Sequence, residues 1–131
     1  MAELIIDTGI LVAIERGHAR LVDVASPADD LAISVVTAAE LWLGVELADE
    51  ANRPRRSVFV QGIFEMVDVE SYDLAVARVH GRLLAETRRT GRQRGYHDLI
   101  IAATAAARNR VLLTADKGFA ELPGVQVRLV G

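Results

Sequence analysis

Asp7, Glu40, Asp98 and Asp116 stand at positions where a folded chain can put carboxylates to use. Asp98 opens and Asp116 closes the most apolar stretch, His97-Asp98-Leu-Ile-Ile-Ala-Ala-Thr-Ala-Ala-Ala-Arg-Asn-Arg-Val-Leu-Leu-Thr-Ala-Asp116. Residues 99–107 carry no charge. At about 100° per residue their apolar positions face nearly every direction, which predicts a buried helix. Val111-Leu112-Leu113 has the length of an interior strand. A carboxylate beside a dry core is costly unless a cation or hydrogen-bond donors meet it, so acids bracketing this segment suggest a site. Brought together, the four acids would repel one another and must bind protons or metal. An all-oxygen donor set favours hard divalent cations, Mg²⁺ or Mn²⁺. Such a centre suits hydrolysis of a phosphodiester: it acidifies a water and offsets charge on the phosphate.

The elements that position these acids follow from periodicity. Residues 3–7 read as a short buried strand ending in Asp7, with Thr8-Gly9 leading into a helical run from Ile10 to Ile14. Asp7 or Thr8 reads equally well as a plain cap for that helix. Residues 20–25 suggest a short helix, and residues 31–34 a second strand. Thr37 is expected to cap a helix over residues 38–49, with Glu40 at the capping-box position. On a helical wheel, Glu46, Asp49 and Glu50 gather on one side, whereas Glu40 falls opposite with Gly44, Leu47 and Ala48. Glu40 is therefore expected to point inward, and Gly44 to allow a close approach of the neighbouring helix.

A helix from Pro54 to about Phe64, a short strand at residues 66–69 and a long helix capped by Ser71 and ending near Gly91 come next. Val76, Val79 and Leu83 form the core-facing stripe of that helix, while His80 lacks a second ligand at metal spacing and is expected to be structural or exposed. Residues 124–130 alternate and suggest a strand at a sheet edge. Strands alternating with helices give an α/β chain, a short, mostly parallel sheet flanked by helices in three layers, as one domain over residues 1–131. Asp7 and Asp116 follow strands, and Glu40 and Asp98 open helices, so all four can share the carboxyl rim of the sheet.

The chain's 131 residues are 51% hydrophobic and 25% charged, ordinary for a folded domain and far from disorder. No cysteine is present, which excludes thiolate catalysis and cysteine-based metal sites. The apolar runs are shorter than a bilayer span and the N-terminus lacks a secretory pattern, so the expected location is the cytoplasm, without membrane contact. Net charge is −3, but Arg82, Arg88, Arg89, Arg92 and Arg94 cluster against the single acid Glu86. Arg88, Arg89, Arg92 and Arg94 are candidates for following a nucleic-acid phosphate backbone, and a solvated helix end is the plainer reading. No Gly-rich phosphate loop is present, and His18, His80 and His97 lack a nucleophile partner.

Leu4-Ile-Ile-Asp7-Thr-Gly-Ile-Leu-Val, Ile33-Ser-Val-Val-Thr-Ala-Ala-Glu40-Leu-Trp-Leu-Gly44, His97-Asp98-Leu-Ile-Ile-Ala-Ala-Thr-Ala and Leu113-Thr-Ala-Asp116-Lys-Gly-Phe119 together resemble the successive motifs of PIN-domain ribonucleases. In length and order the chain is similar to the VapC toxins of VapBC toxin–antitoxin systems, and its single lysine among many arginines resembles the actinobacterial members. The resemblance implies a PIN-like fold and a Mg²⁺- or Mn²⁺-dependent endoribonuclease cutting structured RNA, commonly tRNA or ribosomal RNA. It implies Asp7 and Asp98 as direct metal ligands, with Glu40 and Asp116 completing the shell directly or through water. Thr114 would steady the site with a hydroxyl hydrogen bond. It further implies a homodimer and a cognate VapB antitoxin whose C-terminal segment lies in or near the active-site groove. Gly9 departs from the serine common at that position, and a hydroxyl near the metal is lost. Two alternatives stand beside this reading. A receiver-type phosphoacceptor would need an acid pair after the first strand, where this chain has Asp7 alone. A PIN-like module that binds RNA or protein without cutting would be favoured by a missing acid, and none is missing.

Overall fold

The computed structural model describes all 131 residues. In chain order the elements are β1 (Glu3–Ile6), α1 (Thr8–Glu15), α2 (Leu21–Val24), β2 (Asp30–Ser34), α3 (Val35–Leu47), α4 (Arg53–Met66), β3 (Asp68–Glu70), α5 (Leu74–Thr90), α6 (Tyr96–Ala107), β4 (Val111–Thr114), a 3₁₀ turn (Lys117–Glu121) and β5 (Val127–Leu129). The strands form one sheet in the order β3-β2-β1-β4-β5, and every neighbouring pair is parallel. Leu4 of β1 sits level with Leu31 of β2 and Val111 of β4. The predicted last strand is indeed an edge.

Period-two alternation sends successive side chains to opposite faces, so β1 feeds two cores. Leu4 and Ile6 join Ile33 and Leu113 under α1, α3 and α4, packing with Ile10, Leu11, Leu41, Val45, Val60 and Ile63. Ile5 and Leu112 face the other way, against Val76 and Leu83 of α5 and Leu99, Ile101, Ala102 and Ala105 of α6. Each layer buries the apolar stripe of its helices, which explains why the strands read as continuous apolar runs. α6 is the buried helix expected from its alanines, and small side chains let it lie close to both the sheet and α5.

Four local expectations need correction. Ser34, the last residue of β2, caps α3 by accepting from the Val36 N–H at 3.2 Å. The chain turns from strand to helix without a loop residue, so Thr37 lies inside the first turn and Glu40 is not part of a capping box. Asp73, not Ser71, caps α5, accepting from the Val76 N–H at 3.1 Å. Leu47 does not face the protein: with Val35, Ala39, Trp42 and Leu43 it leaves an exposed apolar stripe along α3. Gly44 permits no unusual approach either, since a Cβ there would meet only the Arg56 guanidinium, at 3.5 Å. The long helix ends as anticipated, with Gly91 left-handed at φ 68°. His80 is buried and structural, held by the Tyr72 hydroxyl at 2.9 Å and edge-on to Tyr96.

Candidate active site

β1 and β4 are adjacent, and at their carboxyl ends they place Asp7 beside Thr114 and Asp116. α6 begins above them and contributes Asp98, while α3 contributes Glu40 from its second turn. Asp7, Glu40, Asp98 and Asp116 line one open cleft of about 550 Å³ together with Thr8, Gly9, Val12, Ile101 and Ala115. The rim anticipated from strand ends and helix starts is where all four acids lie.

Asp7 is the deepest of them, 9% exposed. It occupies the N-cap position of α1 but makes no side-chain cap bond. Its Oδ2 instead accepts from the Thr114 hydroxyl at 2.7 Å. The same hydroxyl accepts from the Asp116 N–H at 3.1 Å, so one buried threonine ties two acids together. Burial pushes the Asp7 carboxyl above its ordinary value. The Thr114 bond opposes that shift, and repulsion from Asp98 and Asp116 adds to it. This charge is one that a cation would relieve.

Glu40 is held by a hydroxyl relay. Thr8 Oγ1 lies 2.9 Å from Glu40 Oε1 and 3.0 Å from Thr37 Oγ1. A hydroxyl has one proton to give, so Thr8 donates to the carboxylate and accepts from Thr37. His97 stands at the rim with Nδ1 3.8 Å from Glu40 Oε2. Thr8, Thr37 and His97 were not among the residues expected at the site; their contacts cross between elements, although Thr8 directly follows Asp7 and His97 precedes Asp98.

Arg94 lies inside the site rather than on the outer basic face. Its guanidinium contacts Asp116 Oδ2 at 2.6 Å and Asp98 Oδ2 at 3.3 Å, and it sits 4.4 Å above the Phe119 ring. Arg94 and the Gly118 N–H hold the Asp116 carboxyl below its usual range. The Arg94-to-Asp98 spacing of four residues was the available signal, a helix-type ion-pair interval. The remaining arginines disperse: Arg92 pairs with Glu121 at 3.5 Å, Arg82 packs over Gly124, and Arg88 and Arg89 are exposed without ion pairs at the end of α5.

The donor set fits a hard divalent cation, being oxygen throughout and carrying more negative charge than its hydrogen bonds satisfy. No three of these side chains close on a single point unaided, and Asp98 and Asp116 both contact the Arg94 guanidinium. That guanidinium already marks a cation position between two of the acids. A Cβ built on Gly9 would lie 3.8 Å from Asp7 Oδ2, an ordinary contact distance.

Residues 4–125 match the model of the PIN domain. Ribonuclease VapC5 of Mycobacterium tuberculosis is 36% identical over 92% of this chain and 87% of its own length. Ribonuclease VapC of Rickettsia bellii is 30% identical over 97% of this chain and 96% of its own. The crystal structure of VapBC-5 from M. tuberculosis, a member of the VapBC family of toxin–antitoxin systems, superimposes with a TM-score of 0.81 at 30% identity. It covers 99% of this chain and all of that one. With the acids of the four motifs gathered in one cleft, this chain belongs to the PIN-domain family, among the VapC ribonucleases.

Proposed function

We propose that this chain is the toxin of a VapBC pair, an endoribonuclease that hydrolyses phosphodiester bonds of structured RNA, such as tRNA or ribosomal RNA, using Mg²⁺ or Mn²⁺. The observation that carries the reading is the buried Asp7 carboxylate, raised by desolvation and facing Asp98 and Asp116 across one cleft. Asp7 and Asp98 hold the ion, with Glu40 and Asp116 completing its surroundings directly or through water. A divalent cation there acidifies a water and offsets charge on the phosphate. Thr114 keeps Asp7 ionised and aimed, and the Thr37–Thr8 relay fixes Glu40. Arg88, Arg89 and Arg92, with Arg94 once it leaves the acids, are the residues that would hold the RNA backbone.

The apolar stripe of α3 supports a homodimer, since Leu47 is 76% exposed and Trp42, though its ring packs against Phe64, is still 41% exposed in the single chain. A separate apolar cleft of about 260 Å³, lined by Ile6, Leu11, Leu21, Phe59, Ile63 and Met66, supports the docking of a VapB segment. It holds no titratable group and is not a catalytic cleft. No helix is long and apolar enough to cross a membrane, and the cytoplasm is the proposed place of action.

The test is cleavage of total cellular RNA by purified, antitoxin-free protein with Mg²⁺, with Mn²⁺ and with chelator, mapping the ends produced. Discrete metal-dependent cuts are expected. Asp98→Asn should lower the rate by about a thousandfold, as expected if the lost ligand supplied several kcal/mol of transition-state stabilisation. RNA binding without cutting in every metal would return the non-cleaving module.

A further inference from the structure

Arg94 is seated with unusual completeness for a residue at a rim. Its side chain is 16% exposed, whereas those of its partners Asp98 and Asp116 are 40% and 50% exposed. Phe119, itself buried, forms the floor beneath the guanidinium. Gly118 leaves the space that Arg94 Nη1 fills, and a Cβ built there would collide with it. The seat is nevertheless imperfect. Nε is buried without an acceptor, and the bond to Asp98 is long at 3.3 Å. An arginine so placed is bound firmly enough to occupy the acids and incompletely enough to be displaced.

We propose that Arg94 is a tethered competitor of the divalent cation, so that guanidinium and ion hold Asp98 and Asp116 in alternation. This rests on the metal-dependent reading of the site. While Arg94 is seated, one positive charge that the chain carries itself is shared by two of the four carboxylates and halves their charge, which keeps the like charges together when no ion is bound. An entering ion draws Asp98 and Asp116 toward Asp7 and Glu40 and releases Arg94. The freed guanidinium then has no acid to neutralise it, beside Arg92, which lines a common cleft with it. A phosphate of the substrate is its natural replacement partner. Ion and RNA therefore favour each other's binding through one side chain, and the coupling is reciprocal.

The test measures Mn²⁺ affinity directly, from the electron paramagnetic resonance signal of free Mn²⁺ titrated with antitoxin-free protein. Arg94→Gln removes the competing charge and shortens the side chain while keeping a polar, neutral end. Gly118→Ala keeps every charge and evicts the guanidinium, the far end of a flexible side chain, from its seat, while Asp116 Oδ1, 3.2 Å from the new Cβ, has to give by only a few tenths of an ångström. Both variants are expected to bind Mn²⁺ roughly tenfold more tightly than the parent chain. Gly118→Ala separates competition from a general change in local charge. Unchanged or weaker affinity in Gly118→Ala, or weaker affinity in Arg94→Gln, overturns the proposal and makes Arg94 a positioning residue for the acids. Failure of all three proteins to bind Mn²⁺ overturns the metal reading and the competition with it.

Discussion

Thr114→Val is the sharpest probe of how the site is held together. Valine keeps the shape and the buried position of Thr114 but removes a hydroxyl that donates to Asp7 Oδ2 at 2.7 Å and accepts from the Asp116 N–H at 3.1 Å. The first bond is short, buried and made to a charged acceptor, a class that contributes about 1.5–3 kcal/mol. The second is neutral on the acceptor side and contributes about 1 kcal/mol. The added methyl recovers under about 1 kcal/mol by burial. The variant should therefore be less stable by about 2–3 kcal/mol at neutral pH. The pH dependence carries the discriminating sign. The Thr114 donor favours ionised Asp7, so its loss raises an already elevated carboxyl further. The cost is full where Asp7 is ionised and falls as acid protonates it, because a protonated carboxyl no longer needs the donor. Urea unfolding in chelator at pH 7 and near pH 4, for the parent chain and the variant, measures both terms. Mn²⁺ affinity should drop with the loss of this supporting bond, by about 10–100-fold. Parental stability at pH 7, or a deficit that does not shrink on acidification, would refute the assignment of Thr114 as the clasp of Asp7.

The other expectations concern charge. Asp7→Asn should raise the melting temperature of chelated protein at pH 7 while abolishing cleavage. The folded carboxyl is raised above its ordinary 3.8, so ionised Asp7 destabilises the fold above that value, and the gain should vanish as pH falls below it. Melting curves across pH in chelator check this, and an unchanged or lowered value at pH 7 would contradict the burial argument. Arg88→Ala with Arg89→Ala should weaken binding of an uncleaved RNA and reduce the slope of log affinity against log salt by about 0.7 per lost phosphate contact. An unaltered slope would return both arginines to a solvated helix end, where they complement the dipole of α5.

The acids were legible in the sequence because their surroundings were. An apolar run that must be a strand fixes where its carboxyl end falls, and Asp7 and Asp116 follow such runs directly. Asp98 follows from the uninterrupted apolarity of α6. Glu40 was placed correctly for a partly mistaken reason, since its helix starts three residues earlier than Thr37 suggested. Cap positions depend on how tightly the chain turns between elements, which residue preference alone does not specify. The exposed stripe of α3 escaped the wheel because Leu47 is apolar, and apolar side chains are assigned inward by default. Arg94 read as one member of a basic cluster. Its partner Asp116 lies 22 residues away, and its seat depends on the absent side chain of Gly118, which no local pattern displays.

The bond between Thr114 and Asp7 joins residues 107 apart in the chain. It sets a schedule for activity as the protein is made. β1 emerges from the ribosome well before its sheet neighbour β4, with two other strands and six α-helices between them in the chain. Until β4 arrives, Asp7 has neither its clasp nor Asp116. A nascent chain, or one truncated before residue 114, lacks the assembled cleft whatever its earlier helices have done. Parallel pairing across such a separation is also slow to form. A nuclease of this kind thus becomes competent only after β4 has been made, and that delay is written into the strand order itself.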